Sequence, residues 1–224
     1  AATTAIGIDV GIARFATFSD GSFIAPLNSF KKHRQRLARY QRRMSRKVKF
    51  SNNWKKEKAK VQKIHSRIAN ARKDFLHKTT TAISQNHALV CVEDLQVRNM
   101  SKSSKGNSEK HGKRVKQKAG LNRAILDQGW GEFRRQLEYK MAWAGGLFIA
   151  VPAHHTSQTC PCCGHVAKEN RQTQAKFLCA DCGHAENADV VGAINVLERG
   201  QRWLACGEDG SGRGRKTRAK PASV

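Results

Sequence analysis

Two near-copies of one hexapeptide, CPCCGH starting at Cys160 and CADCGH starting at Cys179, constrain this chain more than any other feature. The full spacing is C-x2-C-x15-C-x2-C, through Cys160, Cys163, Cys179 and Cys182. Thiolates two residues apart within a pair both reach one tetrahedral ion at about 2.3 Å, and a Gly after each pair allows the tight turn this needs. Gly164 and Gly183 occupy those places. The pattern predicts a zinc ribbon holding Zn2+ in a closed site that shapes structure and does no catalysis. Reactive or disulfide-bonded thiols would leave the doubled CGH unexplained. His165 and His184 stand beside the thiols, but four cysteines already complete the ligand set, and Cys162 is a bystander.

A chain of 224 residues is long enough for one sizeable core with a small appendage. Lys and Arg number 42 against 17 Asp and Glu, a formal charge of +25. Such an excess repels itself unless a polyanion neutralises it, and nucleic acid is the natural partner. No apolar run approaches the length of a spanning helix and no signal peptide is visible, so a membrane partner is not expected. Seven cysteines, an odd number, do not make an evenly paired secreted framework. Cys91 reads as a small buried hydrophobe. The expected location is the reducing cytoplasm, beside the nucleoid.

The apolar pattern orders the elements. Ile6, Ile8 and Val10 alternate on one face of an extended segment, with Asp9 on the other. Asp20-Gly21 marks a hairpin, giving three strands near 4–10, 12–19 and 22–26. From Lys31 to Lys49 there is no acid, yet Leu37, Tyr40, Met44 and Val48 recur at helical spacing. After the turn Ser51-Asn52-Asn53, a second helix carries Trp54, Val61, Ile64, Ile68 and Phe75. Two long helices joined by a short turn predict an antiparallel hairpin over 28–87 with a positive outer face. NHALVCVEDL is a strand, and 99–120 a polar, basic, mobile loop. A helix with Leu126, Phe133, Leu137 and Met141 on one face follows, then the strand GLFIAV. The ribbon spans 155–187, a last helix 188–206, and 207–224 is a disordered basic tail.

Three acids stand within apolar elements: Asp9 in the first strand, Glu93 at the end of VCVED, and Asp189 in the first turn of the last helix. Each alone has an ordinary structural reading, as turn former, strand end or helix-dipole partner. Together, in a chain with so few acids, they are costly unless a cation shares their charge. Carboxylates converging from two strands and a helix can hold two Mg2+ or Mn2+ ions about 4 Å apart for hydrolysis of a phosphodiester.

Four stretches carry a further signal: GIDVGIARFATFSDG, VCVEDLQVRNMS, LDQGWGEFRRQLEYKMAWAGGLFIAVPAHHTSQTCPCCGH and FLCADCGHAENADVVGAINVL. In this order, over most of residues 4–200, they resemble the nuclease half of the transposon-encoded TnpB (OrfB) family, relatives of the type V CRISPR effector nucleases. The resemblance implies an α/β fold of RNase H-like (RuvC) type: a mixed sheet flanked by helices, with an inserted helical hairpin and a small zinc ribbon. Residues 1–154 would form the first part of the nuclease domain, and 188–206 its last helix. It implies that Asp9, Glu93 and Asp189 are the catalytic triad and hold the Mg2+ or Mn2+, and that the ribbon sits over the active-site groove. The implied activity is that of a metal-dependent DNA endonuclease, with a DNA target and, in the complete protein, a guide RNA. Members usually carry a wedge and recognition region before the first RuvC strand. Here nothing precedes Ala1, and the expectation is a fragment of a longer protein or a degenerate copy.

Arg39, Arg42, Arg43 and Arg46 on the basic hairpin are the expected phosphate contacts, since no acid lies between them. Two other functions remain open at this stage. One is a transposase-associated nucleic-acid-binding regulator that does not cleave. The other is a transposase of RNase H type that cuts without a guide. Replacing Cys179 by Ser is expected to release the zinc and unfold the ribbon; a full zinc complement in that variant, by elemental analysis, sinks the ligand set.

Overall fold

The computed structural model describes residues 3–206, and the basic tail at 207–224 lies outside the described residues. The chain divides into two compact units. The first runs up to Pro26, resumes over Thr80–Gln96 and continues from Gly131 onward; the second comprises Leu27–Thr79 and Val97–Trp130.

The first unit is built on a five-stranded sheet. Its strands are β1 (Ala5–Val10), β2 (Ala16–Phe18), β3 (Phe23–Ile24), β4 (Leu89–Glu93) and β5 (Leu147–Val151). Their order across the sheet is β3-β2-β1-β4-β5. The first three form an antiparallel meander turned at Gly21, whose φ of 87° suits a residue without a Cβ. β4 and β5 then run parallel to β1. This mixed sheet flanked by helices is the RNase H/RuvC-like topology. Parallel strands need cover on both faces, so β4 reads as an unbroken buried run, Leu89 to Val92.

The last helix, α6 (Ala188–Cys206), supplies much of that cover. Its approach is set by glycine. A Cβ on Gly7 of β1 would come within 2.1 Å of the Ala193 carbonyl oxygen, and one on Gly200 within 2.1 Å of Cys91 Sγ. Beside this contact Val196 packs with Leu89, Cys91, Ile149 and Val151. Helix α5 (Trp130–Trp143) buries Phe133, Leu137 and Met141, and Phe133 meets Phe15 edge-on at 5.0 Å between ring centres.

The second unit contains α1 (Ser29–Ser45) and most of α2 (Asn52–Asn86), with the short α3 (Val97–Met100) and α4 (Val115–Gln128). Leu37 of α1 packs on Val61, Ile64 and Ile68 of α2, with Phe30 and Tyr40 alongside. Val48 does not join this seam. It lies in the turn after α1 and is 79% exposed. Two further differences from the sequence reading concern 99–128. Helix α4 begins at Val115, inside the stretch read as a loop, and the helix expected to carry Leu126 with Phe133 is two helices. Gly129 separates them with φ 75°, a left-handed ending that breaks the helical phase and leaves Leu126 55% exposed. Its missing side chain also leaves room for Arg72, whose Cδ would lie 3.2 Å from a Cβ there.

Helix α1 begins without a local cap. Asn28 is left-handed and its side chain caps nothing. The work falls to Asp127 of α4, whose carboxylate accepts hydrogen bonds from the Phe30 N–H at 2.9 Å and the Lys31 N–H at 3.3 Å. Arg72 stands 3.9 Å from the same carboxylate. Asp127→Ala strips two first-turn amides of their acceptor. It should lower stability by about 1–2 kcal/mol, read as an earlier urea midpoint. Asp127→Asn keeps one acceptor and should lose less. An unshifted midpoint in Asp127→Ala rejects this role.

Candidate active site and metal centre

The four ribbon thiols come together as their spacing requires. All four Sγ atoms lie within 4.8 Å of one another, with Cys160–Cys182 and Cys163–Cys179 each at 3.6 Å. A tetrahedral ion with bonds of about 2.3 Å would separate its sulfurs by about 3.8 Å, so the donor set fits zinc. Gly164 (φ 76°) and Gly183 (φ 73°) make the two tight turns. The N–H of Cys182 points at Cys179 Sγ at 3.5 Å, a backbone donor that favours negative charge on that sulfur. Asn170, fully buried, ties the two turns together. Its amide donates to the Gln158 and His165 carbonyls, and its Oδ1 accepts the Ala180 N–H.

The ribbon is continuous with the helix behind it. Its strands β6 (Lys176–Leu178) and β7 (Ala185–Asn187) pair antiparallel, and β7 leads straight into α6. Asn187 caps that helix by accepting the Asp189 N–H at 3.0 Å. Cys160, Cys179 and Phe177 pack on Ala188 and Val191, so the metal cluster and the first turns of α6 share one small core.

Sheet register brings Asp9 beside Glu93. Gly7 pairs with Cys91 and Ile8 with Val92 across the parallel β1–β4 ladder, so the next step along each strand sets the two acids side by side. Strand alternation puts both on the face with Gly7 and Cys91, the face covered by α6. Gly192, one turn after Asp189, is where α6 passes over Asp9. A Cβ there would lie 3.1 Å from Asp9 Oδ2. Burial pushes the Asp9 carboxyl up to about 8, and the charges of Glu93 and then Asp189 add to the effect. Burial also raises Glu93, against a hydrogen bond from Thr156 and the charges of Arg199 and Arg171. Arg171 comes from the ribbon and stands 3.9 Å from Asp189. Next to Glu93, Asp94 is ion-paired with Arg134. The carboxylates are less tightly gathered than the thiols. Among the described residues, the four cysteines are the only three or more such donors within 4.8 Å of one another. Oxygen donors from three elements are the donor type that hard divalent cations such as Mg2+ or Mn2+ take.

Comparison with known proteins bears on this arrangement. Residues 1–104 match the OrfB_IS605 family, described as "Probable transposase", and residues 130–196 match the family described as "Cas12f1-like, TNB domain". The chain is 57% identical over 203 residues to "Putative RNA-guided DNA endonuclease InsQ" of Escherichia coli (strain K12), covering 91% of this chain and 50% of that protein. The chain belongs to the TnpB/Cas12f family. A second relative, "Putative RNA-guided DNA endonuclease" of Streptomyces pristinaespiralis, is 38% identical over 93% of this chain and 48% of its own length. The chain thus spans about half the length of the curated relatives it matches. In fold it is similar to the protein in "Cryo-EM structure of the Cas12f1-sgRNA-target DNA complex", with TM-score 0.56 and 18% identity over 86% of this chain and 49% of that one. No helix among the described residues is long and apolar enough to cross a membrane.

Several residues around these carboxylates were not singled out in the sequence. Arg171, in the polar ribbon loop, carries no local signal. Thr156 lies in an undistinguished polar stretch, HHTSQT. Asn195 had one: it is a lone amide within the apolar run of α6, where an unpartnered polar group would be expensive. The expected phosphate contacts Arg39, Arg42, Arg43 and Arg46 are all exposed, in the second unit.

The raised Asp9 carboxyl has a thermodynamic signature. Its ordinary value is 3.8 and its folded value about 8. Between these the folded chain holds a proton that the unfolded chain has lost, so in buffer without Mg2+ or Mn2+ stability falls as pH rises across that window. Asp9→Asn should remove this slope and melt above wild type at pH 8.5 by about 3 °C or more, and added Mg2+ should narrow the gap. Parallel melting curves across pH would contradict the assignment.

Proposed function

We propose that this chain is the nuclease half of a transposon-encoded, RNA-guided DNA endonuclease and that Asp9, Glu93 and Asp189 hold two divalent cations for phosphodiester hydrolysis. The observation that carries the reading is the parallel β1–β4 register, which runs to Ile8 and Val92 and leaves Asp9 and Glu93 as the next residue on each strand, with Gly192 of the helix that bears Asp189 close to Asp9. Family membership and relatives named as RNA-guided DNA endonucleases support it.

Bound Mg2+ or Mn2+ would supply an activated water and a counter-charge for the leaving oxygen. The chain's own residues do the rest. The two strand carboxylates offer neighbouring oxygens on one face of a rigid sheet, and α6 fixes the third. Arg171, beside Asp189, brings a cation from the ribbon to the edge of the site, where it can meet a phosphate oxygen. Exposed Arg39, Arg42, Arg43 and Arg46 give the hairpin a surface for a nucleic-acid backbone, DNA or guide RNA. Zinc in the Cys160, Cys163, Cys179 and Cys182 cluster is structural, stabilising the ribbon from which Arg171 reaches and the start of α6.

End-labelled single- and double-stranded DNA, incubated with Mg2+ or Mn2+ and with or without copurifying RNA, tests the proposal. Asp9→Ala, Glu93→Ala and Asp189→Ala should each slow cleavage about a thousandfold or more and leave nucleic-acid binding near wild type. Tight binding without cleavage by any form, wild type included, would favour the regulator instead. Loss of binding in all three variants would count against a catalytic role.

A further inference from the structure

Glu93 Oε1 accepts a hydrogen bond of 2.6 Å from the Thr156 hydroxyl. Thr156 is only 3% exposed, in the turn that leads from β5 to the first ribbon cysteine. A hydroxyl has one proton to give. Its other acceptor, the Ala153 carbonyl, lies at 3.4 Å, so the short bond to the carboxylate takes the proton. The turn is itself held from α6. Asn195, also buried, uses both amide protons on it, donating to the Thr156 carbonyl at 2.7 Å and the Thr159 carbonyl at 2.8 Å. Both partners are carbonyl oxygens, which fixes the orientation of the amide. Its Oδ1 is left buried without a partner, an expense that a simple packing residue would not carry.

From this chain of contacts we propose that Thr156 is a positioning residue for Glu93 and that Asn195 is the brace that sets Thr156. The inference rests on the two-cation reading of the site. A Glu side chain has three rotatable torsions, and a ligand free to swing loses them when it binds a cation. The Thr156 bond occupies one lone pair of Oε1 and leaves Oε2 open. It therefore aims the carboxylate in advance, as residues behind metal ligands do. Asn195 lies six residues beyond Asp189 on α6. The same helix thus carries one carboxylate directly and steers another through the turn. Any shift of α6 along the sheet would move both.

The test compares wild type, Thr156→Val, which keeps the shape and loses the O–H, and Thr156→Ser, which keeps the O–H. Mn2+ uptake is followed by electron paramagnetic resonance in the absence of nucleic acid, with zinc content and Tm as controls of folding. Thr156→Val should weaken Mn2+ binding about tenfold or more at unchanged zinc stoichiometry, and Thr156→Ser should restore it. Asn195→Asp, which cannot donate to the two carbonyls, should resemble Thr156→Val. Wild-type Mn2+ affinity in Thr156→Val overturns the inference, and so does a Thr156→Ser variant as weak as the valine form. A second readout needs no cation: the 13C carboxylate signal of Glu93, identified by its absence in Glu93→Gln. It should move in Thr156→Val and return in Thr156→Ser, and a signal unmoved by valine overturns the inference. Wild type that takes up no Mn2+ sinks the two-cation reading, and the 13C signal then decides separately whether Thr156 holds Glu93.

Discussion

The close approach of α6 to the parallel strands is the constraint on which the site depends. Gly7 and Gly200 remove side chains from that contact, one on the sheet and one on the helix. A methyl group at either would overlap atoms at 2.1 Å, so the helix could not lie where it does. With the helix in place, Gly192 passes over the Asp9 carboxylate, and Asp189 lies one turn before it. The apolar part of the same contact, around Val196, supplies the burial that holds it. Negative charges are thereby brought together by hydrophobic packing and not by any attraction of their own. The consequence is an Asp9 that favours its proton to about pH 8.

The ribbon extends this arrangement. Its second strand becomes α6 without a linker, and its buried thiols pack on the first turns of the helix. Metal binding there would stabilise more than a loop, because the cluster shares its core with the end of the helix that carries Asp189. The same insert delivers Arg171 to the carboxylates and begins with the turn that carries Thr156. A module that reads as an appendage along the chain is thus built into the site from two sides.

Legibility followed the range of the interactions. The four-cysteine cluster, the strand alternation around Asp9 and the helical stripe of α6 are local patterns, and each was readable from a few neighbouring residues. The helix seam of α1 and α2 was readable through Leu37, Val61, Ile64 and Ile68. Val48 was not, because the stripe continues into the turn after the helix has stopped. Leu126 was misplaced for a related reason: its spacing to Phe133 assumed one continuous helix, and the left-handed Gly129 resets the phase. Asp127 gave no sign that it would cap α1, whose first turn lies nearly a hundred residues earlier.

By itself the sequence determined the four-thiol cluster, the order of the sheet strands and of the long helices α1, α2 and α6, and the three acids placed within apolar elements. Those follow from spacing and periodicity, which the backbone imposes within a few residues. Tertiary structure decided which groups face one another. The approach of Asp9 to Glu93, one residue beyond the last paired positions Ile8 and Val92, depends on the register of two strands some eighty residues apart. The roles of Gly192, Arg171, Thr156 and Asn195 depend on where α6 and the ribbon come to rest. Hydrogen bonds and charge coupling act over a few ångströms in space, and separation along the chain carries no record of them.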